Sequence, residues 1–118
     1  MADERPVVVI GAGPTGLAAA AQLLARGLPV LVLEQGDRAG AAVSEWGHVR
    51  LFSMWRDLID PAAEKLLCAA GWRRPGDGGY PTGRQWVEDY LAPLAKALGS
   101  RVRFGVRVTG VSRQGLDR

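Results

Sequence analysis

The sequence predicts an α/β fold built on a parallel sheet, and three observations predict it. Val7-Val8-Val9-Ile10 and Val30-Leu31-Val32-Leu33 are apolar at every position. A strand buried on one face alternates, so unbroken runs of this length suit strands covered on both faces, as in a parallel sheet. Between them, Gly11-Ala12-Gly13-Pro14-Thr15-Gly16 opens a stretch of helical spacing, and the second run ends in Glu34. Strand, tight glycine turn, helix, strand, acid is the order that a dinucleotide-binding βαβ unit requires.

Each element follows from local chemistry. Pro14 suits the first turn of a helix, where its missing N–H costs nothing. Leu17, Ala20, Ala21 and Leu24 fall on one face. Gly27 is placed as the C-terminal cap. Residues 35–59 read as loop, with Gly36, Gly40 and Gly47 as breakers. Asp60-Pro61 reads as N-cap and first helical residue, and Gly71 as the stop. The Pro- and Gly-bearing residues 72–81 connect to a second helix. Thr82 and Gln85 form a capping-box pair at its start, Pro93 should kink it, and it runs to about Gly99. Val102, Phe104, Val106 and Val108 alternate with Arg101, Arg103, Gly105 and Arg107, a strand pattern broken near Gly105. The whole is expected to be one partial, Rossmann-like domain over residues 1–118. Its parts are a core βαβ over 6–34, a helical excursion over 57–99 and strands over 101–113. In the usual doubly wound order the first strand lies mid-sheet. No later segment remains to flank it. The sequence therefore predicts either an incomplete domain or a partner that covers an apolar edge.

Composition narrows the classes. The 118 residues are 47% hydrophobic, enough for one modest core. Net charge is +3, and residues 99–118 hold five Arg against one Asp. Those Arg residues alternate with apolar ones as on the wet face of a strand, so nucleic-acid binding is not expected. Cys68 is the one cysteine, which excludes an internal disulfide and a multi-cysteine metal site and fits a reducing, cytoplasmic setting. Asp3 and Glu4 before the first apolar run, and the Gly, Pro and Gln22 within it, argue against a signal or membrane segment.

The glycine turn carries the chemistry. Gly11 permits the sharp exit from the strand, Gly13 lets backbone approach a pyrophosphate, and Gly16 lets the helix pack close to the sheet. The helix N-terminus offers free N–H groups and about half a positive charge to the phosphates. Glu34 can accept from both ribose hydroxyls, and its charge disfavours a 2′-phosphate. Pro14 and Thr15 within the turn, Gln35 beside the acid and Arg38 after it complete the candidate set. Arg38 and Arg50 could reach phosphates, against a solvated or structural role. This geometry alone does not separate FAD from NAD.

The sequence resembles the N-terminal FAD-binding portion of flavin-dependent monooxygenases and related two-dinucleotide flavoproteins. Besides the glycine turn and Glu34, the resemblance takes in Trp46-Gly47-His48-Val49-Arg50-Leu51-Phe52-Ser53, Tyr80-Pro81-Thr82-Gly83 and Val102 to Val108, with Val111. It implies FAD at this site, with the backbone of Val108 holding the adenine. It also implies NAD(P)H as reductant in an intact protein. The family's second glycine-rich unit, its late Gly-Asp motif and the monooxygenase histidine fingerprint are not in this sequence. On the resemblance the chain is the first third of a flavoprotein and carries no catalytic residue of its own. The alternative is a small non-catalytic NAD- or ADP-binding or interaction module. The remaining candidates have plainer readings: His48 as a loop histidine, Cys68 as a buried small hydrophobe, Asp57 and Asp60 as turn and cap residues. Trp46, Trp55, Trp72 and Trp86 read as packing.

Overall fold

In a computed structural model of the chain, residues 5–76 and 78–115 are described. Asp3 and Glu4, and the Asp117 and Arg118 that count toward the charge of residues 99–118, lie outside them. Three strands, β1 (Val7–Ile10), β2 (Val30–Glu34) and β3 (Val102–Phe104), form a parallel sheet in the order β1-β2-β3. Val7 stands opposite Val30, and Val32 opposite Val102. This is the predicted Rossmann-like arrangement, with parallel strands joined through helices.

Helix α1 (Pro14–Ala25) follows β1 directly and buries Leu17, Ala20 and Ala21, the predicted face. Small alanines here let the helix axis come close to the sheet. The helix stops where Gly27 takes φ +76° and its N–H donates to the Leu24 carbonyl. After β2 come two four-residue helices, α2 (Ala41–Ser44) and α3 (Trp55–Leu58), inside what reads as loop. Both are too short to leave a periodic signal.

Helix α4 (Pro61–Ala69) packs on α1. Its N-cap is Asp60, as predicted: one carboxylate oxygen accepts from the Ala63 N–H at 3.0 Å, and Gln22 Nε2 of α1 donates to both oxygens at 3.1 and 3.2 Å. One side chain thus ends one helix and ties it to another. The predicted capping box is formed by Thr82 and Gln85 at the start of α5 (Gly83–Trp86). The helix then widens into a π segment, Val87–Leu91, before α6 (Ala92–Leu98). Pro93 lacks the N–H that would bond the Asp89 carbonyl. That carbonyl instead accepts from Trp72 Nε1 at 2.8 Å, so the proline is accommodated without ending the helix.

The core lies between the sheet and this helical layer, where Leu17, Val32, Leu67, Tyr90, Leu91, Leu94 and Leu98 are buried. Tyr90 Oη accepts from the Asp60 N–H at 3.1 Å, and its ring lies 6.2 Å from that of Trp72. Burial pushes the Tyr90 phenol above its ordinary value of 10.0; the Asp60 N–H opposes the rise, and the Asp60 and Glu64 carboxylates add to it.

Three expectations are corrected. β1 is not covered on both faces: it is an edge strand with Val8 50% and Ile10 58% exposed. An apolar run states what a strand could bury, and here no described element lies beyond β1. The strand pattern over 101–113 yields only Val102–Phe104, because Gly105 turns the chain at φ +71° and the pairing with β2 ends at the Val106 N–H bond to the Glu34 carbonyl. Cys68 is exposed, since it sits on the face of α4 away from Ala63 and Leu67. No helix among the described residues is long and apolar enough to cross a membrane.

Candidate cofactor site

The glycine turn is held by its own backbone and by Glu34. Gly11 leaves β1 at φ +101°, a conformation costly for any residue with a Cβ, while its N–H continues the ladder to the Leu33 carbonyl at 2.8 Å. Gly16 stands over that turn. A Cβ on it would lie 2.0 Å from the Gly11 carbonyl oxygen, so α1 could not begin where it does with any other residue. Gly13 is different. It has an ordinary extended conformation, and no atom lies within 4 Å of where its Cβ would be. Its missing side chain leaves open space rather than relieving a clash, as expected where a ligand comes against the backbone.

Between these glycines, the buried Ala12 peptide is gripped at both ends. Its N–H donates to Glu34 Oε1 at 2.7 Å, and its carbonyl accepts from the Gly40 N–H at 2.9 Å. Glu34 Oε2 accepts from the Gly36 N–H, also at 2.7 Å. Each carboxylate oxygen keeps a second lone pair for an outside donor. Gly40 is left-handed at φ +66°, and a Cβ there would lie 2.9 Å from Val87 Cγ2. The loop after β2 is thereby pressed between the glycine turn and the π segment.

Around this turn lies a cavity of about 500 Å³. Of the predicted residues, Gly11, Gly13, Pro14, Glu34, Gln35 and Val108 line it. Thr15 and Gly16 sit behind, in the first turn of α1. That turn has no side-chain cap and no acidic residue, so its N–H groups and the positive end of the helix dipole stay available to an anion. Gly40, Ala41, Ala42, Val43, Glu45 and Val106 also line the cavity and escaped sequence reasoning. The small-residue run Gly40-Ala41-Ala42 after an acid was the available signal. Val106 reaches the cavity because its N–H bonds the Glu34 carbonyl at 3.0 Å, just past the Gly105 turn.

The basic candidates are not at the cavity. Arg38 is exposed and lies 3.6 Å from Asp37. Arg50 Nη1 donates to the Tyr80 carbonyl at 2.6 Å, and its backbone pairs with Thr82, so it braces two loops. His48 is exposed, and none of the four tryptophans lines the cavity; Trp46 packs against Gly83. No group of three His, Cys, Asp or Glu among the described residues could hold a metal.

The donor set fits one kind of ligand. Neutral N–H groups at a helix start suit a diphosphate, the Glu34 carboxylate suits vicinal hydroxyls, and Val106 and Val108 offer an apolar wall to a base. Fold and site together define a Rossmann-like, dinucleotide-binding type of domain. Comparisons agree: the family described as NAD(P)-binding Rossmann-like domain matches residues 9–58. Over 101 residues the chain is 39% identical to an indole-3-pyruvate monooxygenase of Oryza sativa subsp. japonica, covering 86% of this chain and 23% of the relative. Over 96 residues it is 62% identical to a putrescine oxidase of Kocuria rosea, covering 78% of this chain and 19% of the relative. A solved flavin-containing monooxygenase from Stenotrophomonas maltophilia superposes with a TM-score of 0.69 at 33% identity, covering 93% of this chain and 31% of that one. The chain thus resembles flavin-dependent oxidoreductases over most of its own length and spans about a fifth to a third of theirs.

Proposed function

We propose that this chain forms the ADP-binding side of an FAD site in a flavin-dependent oxidoreductase that is monooxygenase-like and NAD(P)H-using when intact. The observation that carries the reading is the Ala12–Glu34 contact at 2.7 Å. It fixes the phosphate-binding turn and the ribose-binding carboxylate as one unit. The FAD half of the proposal is supported by the flavoproteins among its relatives, and the monooxygenase half by two of the three described. The chain's residues would bind and orient the adenine dinucleotide; the redox chemistry would be the flavin's. Work in the cytoplasm is part of the same reading, as is a covering element on the β1 edge, from a partner chain or another part of the protein.

A second reading has its own support. The matching family is described by NAD(P), and the glycine turn addresses the ADP half that FAD and NAD share. On that reading the chain is a small nucleotide-binding module. Purified chain titrated with FAD, NAD and ADP separates the two: FAD binding with a flavin absorbance band favours the first, and binding of NAD and ADP without FAD favours the second. Loss of binding in Gly13→Val, with the fold retained by circular dichroism, is expected on either. Absence of any nucleotide binding, or binding that Gly13→Val leaves unchanged, would remove the site assignment.

A further inference from the structure

The ionisable side chains lining the cavity, among the described residues, are Glu34 and Glu45, and both are carboxylates. Glu34 already has a task in the turn. Glu45 has none there: it follows α2, is exposed, and lines the wall that α2 contributes. The basic residues flanking this segment are engaged elsewhere: Arg38 lies by Asp37, and Arg50 Nη1 donates to the Tyr80 carbonyl. A phosphate group in this cavity would therefore be held by neutral backbone donors worth about half a charge, against two carboxylates. Concave, largely apolar walls concentrate such a field.

We propose that Glu45 limits the charge of the ligand. The site accepts a diphosphate esterified at both ends, as in a dinucleotide, and discriminates against nucleotides with a free terminal phosphate. This rests on the dinucleotide reading above and sharpens it to a ligand class. Glu34 would reject charge on the ribose; Glu45 rejects charge added along the phosphate chain.

The test uses ADP-ribose, ADP and ATP, which share the adenosine diphosphate core, titrated calorimetrically against the full chain. ADP-ribose should bind most tightly and ATP least. Glu45→Gln should narrow the gap between ADP-ribose and ATP by about three- to tenfold. Raising the salt should narrow it too, because screening weakens the repulsion. Glu88→Gln, which removes an exposed carboxylate away from this cavity, should leave the gap as it is. ATP binding as tightly as ADP-ribose, or a gap that Glu45→Gln does not change, overturns the proposal while the dinucleotide reading stands. Failure of ADP-ribose and FAD alike to bind removes that reading, and this proposal with it.

Discussion

β1 and β2 are close to the same strand in composition and opposite in fate. Val30 and Val32 of β2 are 6% and 0% exposed, whereas Val7 and Val8 of β1 are 41% and 50% exposed. β2 lies between two strands and under the helical layer, while β1 has a neighbour on one side only. An apolar run reports what a strand can bury; the elements beside it decide what is buried. The contrast extends through the molecule. On the β2 side Asp60, Gln22, Tyr90 and Trp72 satisfy one another or nearby backbone, and Trp86 Nε1 is buried there without a partner. On the β1 side the apolar face and the first turn of α1 both stand open.

The strands themselves give the largest test. Val32→Asp places an unpaired charge in the core and should cost about 3–5 kcal/mol, enough to unfold a marginal domain. Val8→Asp should cost about 1 kcal/mol or less. Urea melts of the two variants check this, and a Val8→Asp cost near that of Val32→Asp would mean that β1 is covered in solution. The glycines come next. Gly16→Ala, whose Cβ meets the Gly11 carbonyl, should lose about 2–3 kcal/mol. Gly13→Ala should lose under about 0.5 kcal/mol, yet weaken nucleotide binding. Thermal melts with and without FAD would show whether stability and binding separate in this way.

On the closed side, Asp60→Ala removes the α4 cap and the anchor for Gln22, at about 1–2 kcal/mol by denaturant unfolding. The smallest effect belongs to Tyr90. Well below pH 10.0 its phenol is neutral in both folded and unfolded chain. Above that the unfolded chain releases the proton first, so stability falls as pH rises toward the higher folded value. Tyr90→Phe should cost about 1 kcal/mol near neutral pH, through the stranded Asp60 N–H. It should also flatten the alkaline decline, as unfolding measured across pH 9 to about 11 would show.

Much of this was legible in residue order. The glycine turn, the α1 face and the caps at Asp60 and Thr82 are local: each depends on residues within about one turn of chain. Arg38 and Arg50 stayed open between a phosphate and a solvated or structural role, because a basic residue near a predicted phosphate site has many partners; the structure puts Arg38 by Asp37 and Arg50 on the Tyr80 carbonyl. Gly40 was legible only as a loop breaker and Glu45 not at all, because their place at the cavity comes from contacts across the fold, with Ala12, Val87 and the cavity wall. Cys68 failed for a smaller reason: among apolar neighbours on a nine-residue helix, a shift of one position moves a side chain from core to water.

The sequence by itself determined the βαβ unit and the chemistry of its turn, because φ freedom, capping and apolar periodicity are properties of adjacent residues. The tertiary structure alone decided how that unit is held and how far it is covered. It closed the Glu34 carboxylate over the Ala12 and Gly36 amides, brought Gly40 against the Ala12 carbonyl, and left β1 at the edge. Those outcomes depend on which distant segments share space, and no local rule of the chain contains that information.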